Sequence, residues 1–261
     1  MTAIGVFDSG VGGLSVLREI RTLLPAETLV YVADSGHAPY GDRPAQYVKD
    51  RVRAILDFLI NEQRAGLVVF ACNTATEFAI ADARARYSVP IVGMEPAIKP
   101  AIKLSASKTF GVLGTTNTIE GQRVADLVTR YAHDARVLLE PCPDLVLQVE
   151  KGAIDDPTTR TLVRQHVSHM LDERADVIVL ACTHFHFLKH VIQDVVGVDA
   201  QVVDPSVAVA QQVARLRANT GNTTASAGEE SFWTSGPVDE ATRVMSALWG
   251  TPVIVTALPR E

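Results

Sequence analysis

The sequence predicts an α/β fold: two pseudo-symmetric, mainly parallel-sheet domains with the active site in the cleft between them. Three observations support this. Strand-like and helix-like segments alternate along the 261 residues, the pattern of a parallel sheet with helical crossovers. The stretch Val177-Ile-Val-Leu-Ala-Cys182-Thr183-His184 is echoed by Leu67-Val-Val-Phe-Ala-Cys72-Asn73-Thr74, 110 positions earlier. Two further segments repeat at nearly the same spacing. Phe110-Gly-Val-Leu-Gly-Thr-Thr116 resembles Ile4-Gly-Val-Phe-Asp-Ser-Gly10 at an offset of 106, and Val203-Asp204-Pro205 follows Met94-Glu95-Pro96 at 109. Matches in order at a near-constant offset read as an internal duplication, with α/β units over 4–96 and 110–205.

Each element follows from local pattern. Ala3–Phe7 is an apolar strand, Asp8-Ser-Gly-Val-Gly-Gly13 a loop, and Leu14–Leu24 a helix. Thr28–Ala33 is a strand, followed by the loop Asp34-Ser-Gly-His-Ala-Pro-Tyr-Gly41. Ala45–Gln63 is a long helix with apolar positions Val48, Val52, Ile55, Leu56 and Leu59 on one face. The cysteine-bearing runs are buried parallel strands. The residues after them open helical patterns, Thr74 to Tyr87 and His184 to Val196. Pro90–Met94 is a short strand. Beyond 205 come a helix (Val207–Ala218), a polar loop (Asn219–Glu230), a strand (Phe232–Thr234) and a last helix. This segment is expected to pack on the first unit. The expected domains are 1–96 plus 207–261, and 97–206.

Composition narrows the function. A hydrophobic fraction of 47% gives ample core. A net charge of −6 with scattered basic residues argues against a nucleic-acid surface. No apolar run approaches the length of a membrane span. Met1 leads almost directly into a strand, so no signal peptide is expected. Three cysteines, an odd number, fit a reducing compartment better than a disulfide framework. Their spacing at 72, 142 and 182 matches no zinc pattern.

Cys72 and Cys182 are the strongest candidates for chemistry. A single free cysteine is usually an inert core residue. Two at matching strand ends, each before a helix N-terminus that favours anions, point to reactive thiols. Cys142, in Glu140-Pro-Cys-Pro, has no echo and reads as structural. Asp8 reads as an acid or base beside Cys72, because the two end strands expected to be neighbours; the alternative is a helix cap. The loop Gly10-Val-Gly-Gly13 completes neither a dinucleotide fingerprint nor a Walker motif. His184, two residues after Cys182, suits thiol activation or a cap. His37, His166, His169 and His186 read as surface residues, and Glu150 as a helix-end carboxylate. Ser9, Asn73, Thr74, Thr115, Thr118 and Thr183 add small polar groups at the strand ends, enough to hold a small acidic ligand. No cluster has metal-ligand spacing, and no lysine is placed for a pyridoxal Schiff base.

Taken together, Phe7-Asp8-Ser9-Gly10-Val-Gly-Gly13-Leu, Asp34 with Pro39-Tyr40-Gly41, Ala71-Cys72-Asn73-Thr74-Ala75, Val149-Glu150 and Cys182-Thr183-His184 resemble the glutamate racemase family across essentially the whole chain. The resemblance implies cofactor-independent interconversion of L- and D-glutamate, supplying D-glutamate for peptidoglycan, by a bacterial cytoplasmic enzyme that is usually a homodimer. It implies that Cys72 and Cys182 are the acid and base, with Asp8 assisting the first and Glu150 and His184 the second. It further implies substrate contacts from Ser9, Tyr40, Gly41, Asn73, Thr74, Thr118 and Thr183, and no metal or organic cofactor. The family usually has proline where His186 stands and serine where Gly121 stands. Some relatives carry an N-terminal extension linked to activation by a cell-wall precursor; that control is not expected here. Some also inhibit DNA gyrase, and no stretch of this sequence argues for or against it. The rival readings are a racemase of aspartate or another small acid, and a non-catalytic binder of acidic ligands; the paired thiols argue against the latter.

Overall fold

The computed structural model describes residues 2–218 and 228–259. The chain divides into two compact units, Met1–Met94 with Ser206–Glu261, and Glu95–Pro205. The first opens with β1 (Ala3–Asp8), α1 (Leu14–Leu23), β2 (Leu29–Ala33) and α2 (Ala45–Asp57). The long helix expected to Gln63 leaves α geometry at Phe58 and ends in a π-helical turn, Phe58–Glu62. Then follow β3 (Ala65–Phe70), α3 (Asn73–Arg86) and β4 (Ile91–Val92).

The second unit contains α4 (Ile98–Leu104), β5 (Thr109–Gly114), α5 (Thr116–Ile119), α6 (Gln122–Tyr131), β6 (Arg136–Pro141), α7 (Pro143–Glu150), α8 (Pro157–Asp172), β7 (Val177–Ala181), α9 (Lys189–Val196) and β8 (Gln201–Val203). The chain returns to the first unit with α10 (Ser206–Ala218), β9 (Glu230–Thr234), α11 (Val238–Trp249) and β10 (Val255–Ala257). Most of the polar loop expected over Asn219–Glu230 lies outside the described residues.

Both sheets are parallel throughout. The first runs β10-β9-β2-β1-β3-β4 and the second β6-β5-β7-β8. Four strands of each thus share one order, second-first-third-fourth. In such sheets the connections diverge between the first and third strands, and ligands bind at their carboxyl ends there. Cys72 follows the third strand of the first sheet and Cys182 the third strand of the second, so both occupy that position. The duplication read from the sequence is therefore present in the topology. β9 and β10 extend the first sheet beyond the repeated order, which places the C-terminal segment on the first unit.

Burial explains the strands. β1, β2 and β7 are buried along their full length, as helices cover both faces. The first core holds Phe7, Phe70, Val68, Val52, Ile55 and Leu59, with Phe7 and Phe70 packed edge-on at 4.7 Å between ring centroids. The second is centred on Phe110, Val112, Val177 and Val179. Among the described residues, no helix is long and apolar enough to cross a membrane.

Candidate active site

In the first unit the site residues gather where β1, β2 and β3 end. β1 lies between the other two strands, so Asp8 emerges beside Ala33 on one side and beyond Phe70 on the other. The Asp8 carboxylate accepts the Ser9 backbone N–H at 2.6 Å and faces the Ser9 hydroxyl at 3.3 Å. That hydroxyl is 3.8 Å from Cys72 Sγ. Asp8 is thereby linked to the thiol through Ser9. Gly13 allows this packing: a Cβ there would stand 2.8 Å from Asp8 Cβ and 3.0 Å from Ala71 Cβ.

Cys72 caps α3, with Sγ accepting the Ala75 N–H at 3.4 Å. A helix N-terminus stabilises negative charge on sulfur. Thr76 locks the same turn, donating to the Cys72 carbonyl at 2.9 Å and accepting the Met94 N–H. The Asn73 side chain is buried, and neither its amide oxygen nor its nitrogen has a hydrogen-bond partner. A buried orphan amide costs about 1–3 kcal/mol. Thr74 is buried beside it.

Tyr40 and Gly41 lie buried in a short 3₁₀ turn. The Tyr40 hydroxyl donates to Asp34 at 2.5 Å. Its burial, then the Asp34 charge and this hydrogen bond, hold the phenol well above its ordinary range, so it remains a donor. Arg51, on α2, donates to both carboxylate oxygens of Asp34, at 3.0 and 3.1 Å. Sequence reasoning missed Arg51. Its only signal is its place three residues after Val48 on the inward face of α2.

In the second unit Cys182 follows β7 and precedes a 3₁₀ turn, Thr183–His186. The α-helix expected from His184 begins only at Lys189. Phe185 and Leu188, three residues apart, are both buried. Backbone bonds from Phe185 to Cys182 and from Leu188 to Phe185 follow the 3₁₀ repeat. Cys182 therefore lacks the α-helix terminus that Cys72 has. It has His184 instead. Cys182 Sγ is 3.7 Å from His184 Nδ1, and His184 Nε2 is 2.5 Å from Glu150 Oε1. Glu150 is the last residue of α7, as a helix-end carboxylate should be. Burial works against a charged His184, but its bonds to Cys182 and Glu150 outweigh burial and raise its pKa well above the ordinary value. Thiol, imidazole and carboxylate form one chain of contacts.

Thr115 follows β5, the neighbour of β7, and donates to Thr118 at 3.0 Å; both are buried, as is Thr183. The fold thus gathers Asp8, Ser9, Tyr40, Gly41, Asn73 and Thr74 around Cys72, and Glu150, His184, Thr118 and Thr183 around Cys182.

Three histidines are not the surface residues expected. His186 is largely buried, which lowers its pKa to about 4, with Asp204 opposing and Lys189 reinforcing the shift. His166 lies between the carboxylates of Glu140 and Asp144, each at 2.8 Å. It follows the buried Val163 by three positions on α8 and so faces inward. His37 is half-buried against the Tyr47 hydroxyl at 2.5 Å. His169 is exposed. The inference that no cluster suits a metal also needs correction. Glu140, Cys142 and His166 bring ligand atoms within 4.8 Å of one another, although 24 positions separate Cys142 from His166 in sequence.

The family model for Asp/Glu/Hydantoin racemase matches residues 4–213. A glutamate racemase of Methylococcus capsulatus is 47% identical over 98% of this chain and 95% of that protein. One of Pseudomonas aeruginosa is 45% identical over 98% and 97%. Among solved structures, a glutamate racemase from Bacillus anthracis superposes with a TM-score of 0.89 at 28% identity, covering 99% of this chain and 97% of that one. The Escherichia coli glutamate racemase, in complex with L-glutamate and the activator UDP-MurNAc-ala, gives 0.88 at 28% identity over 99% and 98%. With the matched segment spanning both cysteine strands and the glycine-rich first loop, the chain belongs to the Asp/Glu/Hydantoin racemase family and is an enzyme.

Proposed function

We propose that this enzyme interconverts L- and D-glutamate without a cofactor, using Cys72 and Cys182 as paired acid and base, and that it supplies D-glutamate for peptidoglycan. One observation carries the reading. Each of two buried thiols ends the third strand of its sheet and is linked through one polar side chain to a carboxylate, Cys72 by Ser9 to Asp8 and Cys182 by His184 to Glu150. Racemisation needs a base on one face of Cα and an acid on the other. A thiolate takes the Cα proton, the resulting planar carbanion receives a proton from the other thiol, and the roles are then reversed. Cys182 acts as base on L-glutamate and Cys72 on D-glutamate. His184 stays charged beside Cys182, which favours the thiolate it serves.

Ser9, Tyr40, Gly41, Asn73, Thr74, Thr118 and Thr183 hold the substrate. The orphan amide of Asn73 supports this most directly, since a ligand carboxylate or ammonium supplies the partner it lacks. The functional domains are 1–96 plus 207–261, and 97–206. The enzyme works as a cytoplasmic homodimer, to be checked by sedimentation, and a second activity on DNA gyrase is to be tested in a supercoiling assay.

The main test is incubation with L-glutamate in heavy water without added cofactor. D-glutamate carrying one deuterium at Cα is expected. Absence of the D-enantiomer, or D-glutamate without deuterium, refutes the mechanism. Faster turnover of aspartate in the same assay refutes the substrate assignment.

A further inference from the structure

We propose that Glu140, Cys142 and His166 form a binding site for a zinc-class transition metal in the second unit, one that shares no ligand with the Cys182–His184–Glu150 relay. The ligand atoms come from three elements: Glu140 from β6, Cys142 from the β6–α7 junction, and His166 from the inward face of α8. They lie within 4.8 Å of one another. Tetrahedral zinc, with bonds of about 2.0–2.3 Å, sets its donors roughly 3.5 Å apart, so the widest pair closes by about 1 Å and the His166–Glu140 pair, now at 2.8 Å, opens to admit an ion. Thiolate, imidazole and carboxylate suit zinc or cobalt and disfavour magnesium or calcium, which take oxygen donors.

The surroundings fit the same reading. His166 faces Glu140 through Nδ1, while Nε2 is held by Asp144 at 2.8 Å. A carboxylate behind the second ring nitrogen is the usual support of a metal-bound histidine. His169 lies 3.6 Å from the other Glu140 oxygen, at the exposed side where water or this imidazole completes the coordination. Cys142 is fully buried, and its sulfur contacts the Glu140 carbonyl at 3.4 Å. An entering dication displaces the thiol proton and the proton in the Nδ1–Glu140 contact, and both pass to solvent. The bound ion ties β6 to α8.

The test uses the full chain, stripped with a chelator and kept reduced with a phosphine, and titrated with Co²⁺. Because Cys72 and Cys182 are also thiols, it is run on the Cys72→Ser/Cys182→Ser protein as well. One cobalt per chain with a thiolate-to-metal absorption band is expected in both proteins, with displacement by Zn²⁺. His166→Gln and Glu140→Gln, at half-buried positions, should abolish the band while circular dichroism is unchanged. Asp144→Asn should weaken binding about 10–100-fold. No band in the doubly substituted protein, or an undiminished band in folded His166→Gln, overturns the site. Cys142→Ala adds a direct check on the sulfur, and the two half-buried variants decide the question if it does not fold.

Discussion

Replacing His184 by asparagine should separate the relay from the thiol it serves. His184 Nδ1 is 3.7 Å from Cys182 Sγ, and both residues are buried. At an effective dielectric of about 20, unit charges at this distance interact by about 4–5 kcal/mol. An asparagine amide recovers about 1.5–3 kcal/mol through a hydrogen bond to the charged sulfur. The difference, about 1.5–3 kcal/mol, corresponds to roughly one to two powers of ten in rate, at or below the low end of what a general acid or base contributes. The enantiomers of free glutamate have equal free energy, so kcat/KM must fall equally in both directions. Directional information lies in deuterium exchange at Cα. Exchange into L-glutamate, which under the proposed mechanism needs Cys182, should fall roughly ten- to a hundredfold by the same estimate, while exchange into D-glutamate at Cys72 should be spared. The raised His184 pKa also has a consequence for stability. Its contribution is fully present below the unfolded value, about 6.5, and is lost as pH rises through the higher folded value. The stability advantage of the wild type over His184→Asn should therefore close in the alkaline range, read from urea midpoints against pH. A folded His184→Asn enzyme with near-normal kcat/KM, or one that loses exchange into both enantiomers alike, would refute the reasoning.

Four further outcomes are expected. Cys72→Ser and Cys182→Ser should each nearly abolish racemisation, since serine ionises far less readily than a thiol of reference pKa about 8.5; near-full rate in either folded variant rules out the two-thiol mechanism. Asn73→Ala should raise KM and leave stability unchanged or up to about 1 kcal/mol higher, because it removes a buried unpaired amide; lower stability with unaltered KM would assign Asn73 to the fold alone. Gly13→Ala should destabilise by about 1–3 kcal/mol and impair catalysis, as its Cβ meets Asp8 and Ala71; calorimetry and steady-state kinetics check both. Prolonged chelation should leave racemisation intact, and a loss restored by added metal would contradict cofactor-independent chemistry.

The sequence made the buried parts of both sheets legible, and the reason is physical. β7 and the inner part of β3 lie beneath helices on both faces, so they carry unbroken apolar runs that announce strands. β6 is half-exposed from Arg136 to Pro141, and β10 is only Val255–Ala257, so neither leaves such a run. Spacing could not separate a 3₁₀ turn from the first turn of a helix after Cys182, since both start with polar residues. The inward-facing histidines were hidden for a related reason: burial of His166 follows from its position relative to Val163 on α8, a helix that the sequence reading left unassigned. The Glu140–Cys142–His166 cluster joins β6 to α8 through tertiary packing, which linear spacing cannot display. At the candidate site, Cys72, Cys182, Asp8 and His184 stand out because they sit at strand ends. Arg51 does not, because it acts from the flank of a helix.

The duplicated fold gives the two thiols equivalent positions and different means of controlling their protons. Cys72 caps a fourteen-residue helix and receives the Ala75 N–H, so fixed backbone dipoles favour its anion. Cys182 precedes a single 3₁₀ turn and faces His184, whose other ring nitrogen lies 2.5 Å from Glu150. Fixed dipoles hold no titrating proton, whereas the histidine can lose its own. An equilibrium constant of one between enantiomers does not require matching machinery, because only the total barrier through the carbanion must be the same in each direction. Under the proposed mechanism the asymmetry places pH sensitivity mainly on the Cys182 side, where deprotonation of His184 removes the charge that favours the thiolate. On this argument the alkaline limb of the rate profile belongs to His184 and should vanish, together with most of the activity, in His184→Asn. A limb that survives unchanged in that variant would assign it to Cys72 and reverse the division of labour between the two halves.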